Sequence, residues 1–323
     1  MSSYDFSYGH SGILLEDGLP RRTLAGVSPA SCGDRHFVPA GPVPSGVETL
    51  RNRGAHHHDR FVFWHLPFLG SPLRPTEFAL WLVIPVLAGV APLGAQPAPI
   101  TTDRPAFTNS SVVVPSGSLQ VENGVQVTTA VGRRTFDGPE SLLAFGLTDS
   151  TELRFTVPDY NYSALGSGLG DLTLGVKQQV AHTGTGFDAS LIVFLTVPTG
   201  ANVESSHSYD PGLQLPWSQK ISVNWTAAGM LSLYWLTESG TRNLTGESTF
   251  LFDRQINGHW DAFVEYAGDF SQRGGPRHLL HFGTAYKLTP LQQLDVHVGA
   301  GLSRATVDHF IGVGYSFRFQ VRK

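Results

Sequence analysis

From Ser118 onward the chain alternates apolar and polar positions with a period of two, the spacing that places successive side chains on opposite faces of a strand. The stretch Phe310 to Phe319 is the clearest case. Ile311, Val313, Tyr315, Phe317 and Phe319 fall on one face, and Gly312, Gly314, Ser316 and Arg318 on the other. The same rhythm predicts about twelve strands, near 118–131, 138–148, 150–158, 168–181, 186–197, 210–223, 225–236, 246–257, 259–267, 277–288, 291–301 and 307–319. No stretch among them carries a helical period. Their lengths suit tilted strands that cross a bilayer, which need ~9 to 11 residues each.

Connections between these stretches read as alternately short and long. Short ones are 147–150, 182–186, 224–226, 256–259 and 288–291, with Asn257-Gly258 a hairpin pair; Tyr160 to Ser167 and Thr199 to Tyr209 read as long loops. Such alternation is expected of periplasmic turns and extracellular loops, with both ends of the barrel periplasmic. Leu153, Phe155 and Val157 alternate with Glu152, Arg154 and Thr156; Leu172, Leu174 and Val176 alternate with Asp171, Thr173, Gly175 and Lys177. Leu294, Val296 and Val298 likewise alternate with Gln293, Asp295, His297 and Gly299. A soluble two-sheet sandwich would alternate as well, with its apolar face inside. The even strand number, the aromatic Phe319 ending the last strand, and interface-type aromatics Trp217, Trp235, Trp260, Tyr266 and Tyr286 favour an all-β, antiparallel transmembrane barrel with polar side chains inward.

Composition agrees with this class. The chain has 36 glycines and 21 prolines in 323 residues, and its net charge of -4 offers no basic field for nucleic acid. Residues 78–90 form an apolar run that is broken by Pro85 and Gly89 and followed by Ala-Pro-Leu-Gly-Ala95. It is shorter than the ~20 residues of a membrane helix, and it suits a signal peptide spanning 78–95, with the mature chain starting at Gln96. Residues 1–77 then read as an unstructured upstream segment, explained by a start assigned too far upstream, with a disordered extension as the alternative. They contain His56, His57 and His58, too bare a tract to frame a metal site, and Cys32, the single cysteine. Residues 96–117 read as a periplasmic lead-in or plug, 118–319 as the barrel and 320–323 as a tail.

Four ordered segments carry a resemblance. They are Thr102-Asp-Arg-Pro-Ala-Phe-Thr-Asn-Ser-Ser111, Val114-Pro-Ser-Gly-Ser-Leu-Gln-Val-Glu-Asn-Gly124, Pro139 to Arg154, and Gly168-Leu-Gly-Asp-Leu-Thr-Leu-Gly-Val-Lys177. Together they resemble the outer-membrane transporter-like family named for the meta-pathway of phenol degradation, over about Thr102 to Phe319. Ala144 departs from that pattern, where a basic residue is frequent, and Gln320 to Lys323 continue past the usual terminal aromatic. The resemblance implies a bacterial outer-membrane barrel connected with the passage of aromatic compounds.

The inward set inferred from alternation is Glu122, Glu140, Glu152, Arg154, Asp171, Lys177, Lys220, Asp253, Asp261, Glu265, Lys287, Asp295 and Arg318. Charges in a narrow lumen must be paired or hydrated, so these serve either as a salt-bridge network or as solute contacts. In the lead-in, Asp103 and Arg104, with Pro105 and Phe107, are the candidates for tying a plug to lumen charges. Phe319 is the candidate assembly signal. No Gly-x-Ser-x-Gly, His-Glu-x-x-His or phosphate loop is present. His281, His297, Asp295 and Ser303 make only a weak hydrolase constellation. The expectation is a passive channel for small molecules, aromatic or hydrophobic ones among them, without enzyme activity, metal or cofactor. Its partners would be the solute, outer-membrane lipid and the barrel-assembly machinery, not nucleic acid. A barrel hydrolase and a non-transporting structural barrel are the alternatives.

Overall fold

A computed structural model describes residues 98–164, 166–238 and 240–322. The upstream extension, the signal peptide, the start at Gln96, the histidine tract and Cys32 lie outside the described residues. Fifteen strands form one antiparallel sheet: β1 (Ser118–Ala130), β2 (Arg133–Gly138), β3 (Leu142–Gly146), β4 (Thr151–Thr156), β5 (Tyr160–Ser163), β6 (Gly166–Leu169), β7 (Leu172–His182), β8 (Phe187–Val197), β9 (Asp210–Lys220), β10 (Trp225–Glu238), β11 (Thr241–Gln255), β12 (Trp260–Ser271), β13 (Arg277–Thr289), β14 (Gln292–Gly301) and β15 (His309–Gln320). β15 returns to pair with β1 from Ser118↔Gln320 to Thr129↔His309, and this closes the sheet. Closure removes the unpaired edges that a bilayer could not satisfy.

The wall has twelve members, because three pairs of short strands are halves of interrupted wall strands: β2 with β3, β4 with β5, and β6 with β7. The interruptions are adjacent, at 139–141, 157–159 and 170–171. Against β1 the register shifts by one residue across the first break, from Gln126↔Asp137 to Glu122↔Leu142. An extra residue in one strand exchanges the two faces. Asp137 therefore faces the interior above the break and Leu142 and Ala144 face it below.

Several expected boundaries change. Tyr160 to Ser167 is not a long loop, because β5 and β6 pair across it from Tyr160↔Leu169 to Ser163↔Gly166. β11 begins at Thr241, five residues before the alternation becomes regular, since its pairing with β10 continues to Glu238↔Thr241. Short and long connections consequently do not alternate throughout. The β1–β2 hairpin turns on Val131 and Gly132 alone, with φ of 50° and 71°, the left-handed pair that a two-residue turn requires. The last strand runs to Gln320, so the tail is shorter than expected.

Outer and inner faces have the inverse of a soluble core. Leu174, Val176, Val193, Leu231, Phe250, Val296 and Ile311 are exposed on the outside, where hydrocarbon replaces water. Glu122, Glu152, Lys177, Gln214, Glu265 and His297 are buried inside. Tyr315 stacks on Phe317 at 5.7 Å on the outer face, although it is itself buried, and Phe317 stacks on Phe319 at 6.1 Å.

Candidate functional site

Residues 98–116 run through the barrel interior, bonded to wall strands on every side. Such a segment has no ladder to satisfy its backbone, so each polar group needs a side-chain or carbonyl partner. The wall supplies them. Glu122 accepts from the backbone N–H of Asp103 at 3.1 Å and of Arg104 at 2.9 Å. Glu265 accepts from the N–H groups of Phe107 at 2.9 Å and Thr108 at 2.7 Å, and from the Thr108 hydroxyl at 2.6 Å. Glu152 accepts from the Val114 N–H at 2.8 Å. Further along, Asn109 donates to Gln214 at 2.9 Å, and the hydroxyls of Ser111 and Ser218 meet at 2.7 Å. Near the start, Ile100 N–H donates to the Pro290 carbonyl at 2.7 Å, and Arg318 donates to the carbonyl of Ala98.

Two opposite charges on adjacent residues hold the centre. Asp103 pairs with Arg154 and with Lys177, the latter at 3.4 Å, while Arg154 also pairs with Glu152 at 2.7 Å. Burial alone would raise the Asp103 carboxyl, but Arg154 and Lys177 outweigh it and hold the group well below the usual carboxylate range. Arg104 donates to Glu140 at 2.5 Å and to Asp295 at 3.3 Å. Its guanidinium rests against Gly124 and Gly314, where any side chain would collide with it. Glu140 reaches this pair from the break between β2 and β3, with a left-handed φ of 45°.

An apolar anchor follows. Phe107 fits among Ala267, Leu279 and Phe310 with Val307 at the edge, its ring 4.6 Å from that of His281 and 5.8 Å from that of Phe310. A second apolar patch, Ile192, Phe194 and Tyr234 with Leu236, lines the inside of β8 and β10. Inward aromatics on an otherwise polar wall offer a face for apolar or aromatic molecules.

The expected interior residues divide into groups. Glu122, Glu152, Arg154, Lys177, Glu265 and Asp295 are brought together around residues 103–114. Asp261 and Lys287 form a separate pair at 2.6 Å, and each side chain is less than a fifth exposed. Asp171 does not join the central set; it binds the N–H groups of Gly200 at 2.8 Å and Ser206 at 3.0 Å, fastening loop 198–209. Lys220, expected inside, is exposed where β9 ends. His281 and His297 do meet, at 3.1 Å, and His281 meets Glu265 at 2.8 Å. Ser303 stands apart, bonded to the His278 N–H, Thr306 and the Pro276 carbonyl. His281 has its two ring nitrogens engaged by Glu265 and His297, and the hydrogen bonds of Ser303 go to other groups. Alternation could not identify Asn109, Ser111 or Val114 as interior, because their segment has no period.

Residues 102–319 match the model of a protein family described as "Putative MetA-pathway of phenol degradation". No curated protein matches the chain. Among solved structures, an outer membrane channel from Pseudomonas putida F1 aligns with a TM-score of 0.53 at 15% identity, over 65% of this chain and 98% of that one. The KdgM porin aligns with a TM-score of 0.44 at 11% identity, over 62% of this chain and 99% of its own. The first of these likenesses establishes the barrel fold.

Proposed function

This chain belongs to the family described as the putative MetA-pathway of phenol degradation, and from that premise we propose that it is a passive outer-membrane channel for small molecules, closed at rest by residues 98–116. The observation that carries this reading is the nature of the interior. It is filled by a segment held mainly through reversible ion pairs and hydrogen bonds, with Phe107 and Val114 as its buried apolar contacts. A segment so held is a removable plug. Asp103 and Arg104 are its electrostatic ties and Phe107 its apolar one, and a shift of the segment would open a path along the wall.

Aromatic or hydrophobic solutes are the class that the lumen suits. The patch of Ile192, Phe194 and Tyr234 supports this, as does the cup of Leu279 and Phe310 that Phe107 would vacate. The wall charges Glu122, Glu152, Arg154, Lys177, Glu265 and Asp295 serve as plug receptors, and Asp261, Lys287 and Arg318 as rim charges. Phe319 is the aromatic read by the barrel-assembly machinery. Catalysis is not part of this reading, since the His281 pair is used in positioning Glu265.

Planar-bilayer recording and uptake of phenol into proteoliposomes test the proposal. Wild-type protein is expected to show low conductance that rises when Asp103 and Arg104 are replaced together by Ala, with phenol uptake exceeding that of a sugar of similar size. Absence of solute flux in both forms of a folded barrel would refute the channel.

A further inference from the structure

Asp137 lies on the interior face of β2, is 1% exposed, and neither of its carboxylate oxygens accepts a hydrogen bond from a protein group among the described residues. Among the described residues, no lysine or arginine forms an ion pair with it. A buried, unpaired carboxylate is costly. Its surroundings make the cost larger, because Glu140, Asp159 and Glu204 all act on it with the same sign of charge. Glu140 is paired with Arg104, whereas Asp137 takes part in no ion pair among the described residues.

The register brings further oxygens to the same row. Gln126 on β1 and Asn161 on β5 stand directly opposite Asp137 on its two sides, a spacing at which side chains on one face touch. Gln126 Oε1 and Asn161 Oδ1 are buried and accept from no protein donor among the described residues. The orientation of Asn161 is set independently, since its Nδ2 donates to Glu204 at 3.1 Å and the reverse placement would oppose two oxygens. Asp159, two residues before Asn161 and 5% exposed, adds a second carboxylate. Acceptors dominate this row.

We propose that Asp137, Asp159, Asn161 and Gln126 form a divalent-cation site of the all-oxygen, calcium type in the upper lumen, linking β1, β2 and β5 beneath loop 198–209. Among the described residues no three His, Cys, Asp or Glu side chains converge as a ready metal cage. The amide oxygens and water therefore complete the coordination. Calcium accepts six to eight oxygens in flexible geometry, including amide carbonyls, whereas magnesium demands a stricter octahedron. Because Asn161 also holds Glu204, the cation would stiffen the loop that covers β6, whose Leu169 carbonyl accepts from the Ala201 N–H at 2.8 Å.

The folded barrel in detergent, stripped with EGTA, tests this by thermal unfolding and by terbium luminescence. Calcium chloride is expected to raise the Tm of the wild type, magnesium chloride less, and sodium chloride at matched ionic strength not at all. Terbium should bind and be displaced by calcium. In Asp137→Asn both responses should vanish, and its Tm without calcium should equal or exceed that of the stripped wild type, since the unpaired charge is gone. Absence of a calcium response in the wild type would overturn the site, as would a response kept by Asp137→Asn. If Asp137→Asn fails to fold, Asn161→Leu provides the same comparison, with weakened terbium binding expected and unchanged binding counting against the site.

Discussion

Gly124 and Gly314 stand directly opposite each other on β1 and β15, and the Arg104 guanidinium lies across both. The slot exists because neither residue has a Cβ. Asp295, opposite Gly314 on its other side, completes the seat with a carboxylate.

Alanine at either glycine should therefore lift Arg104 off the wall. Gly314→Ala and Gly124→Ala are expected to raise the conductance in planar bilayers while heat-dependent gel mobility still reports a folded barrel. Conductance unchanged from wild type in both would show that Arg104 does not hold the plug.

Arg104→Ala removes the partner of both Glu140 and Asp295 and leaves two buried carboxylates uncompensated. Breaking such a pair costs ~3 to 5 kcal/mol. Denaturant unfolding should show a loss of at least this order, partly recovered in the double variant Arg104→Ala with Glu140→Gln, which still leaves Asp295 without its cation.

Glu265→Gln tests the second tie. The carboxylate accepts from two backbone N–H groups and one hydroxyl, and a hydrogen bond to a charged acceptor contributes ~1.5 to 3 kcal/mol. Hydrogen exchange should quicken at the amides of Phe107 and Thr108 while those of β12 keep their protection. Equal acceleration throughout β12 would indicate damage to the wall instead.

Phe107→Ala empties the cup beside Leu279 and Phe310. Truncating a buried phenylalanine costs ~3 to 5 kcal/mol. The expected outcome is a higher open probability, together with reclosure when phenol is added at concentrations sufficient to refill the cup. A channel insensitive to phenol in this variant would remove the cup from the solute path.

The lipid face offers a test of register. Val176 is exposed on the outside of β7, paired with Leu153 and Val193. Val176→Arg should cost ~2 to 4 kcal/mol, and Val176→Leu almost nothing, by unfolding from lipid vesicles. Thr173→Arg, which alternation alone treats as tolerated, should also destabilise: Thr173 is 8% exposed and borders the same gap as Arg154.

The barrel was legible in the sequence because a period of two is a local property. Each of Leu294, Val296 and Val298 reveals its face by the polar residue beside it, whatever the rest of the chain does. Asp103, Arg104 and Phe107 drew attention as candidates because a charge pair and an aromatic stand out in a segment without a period. Their partners could not. Arg104 meets Asp295 across 191 residues of chain, and that distance is bridged only when β15 closes on β1.

The sequence by itself thus determined an antiparallel wall of about twelve strands with a polar inner face, since alternation follows from the pleat of each strand. Tertiary structure alone decided how the interior is filled. The one-residue register shift beside β1 turns Asp137 inward, and the coincident breaks in three neighbouring strands bring Glu140 to Arg104. Neither leaves a local mark, because which side of a strand is inside after a bulge depends on the strand it pairs with. Likewise, polar residues such as Asn109 and Ser111 belong to a segment whose lack of period leaves lead-in and plug open, and only closure of the wall surrounds them, after which every donor must find an acceptor.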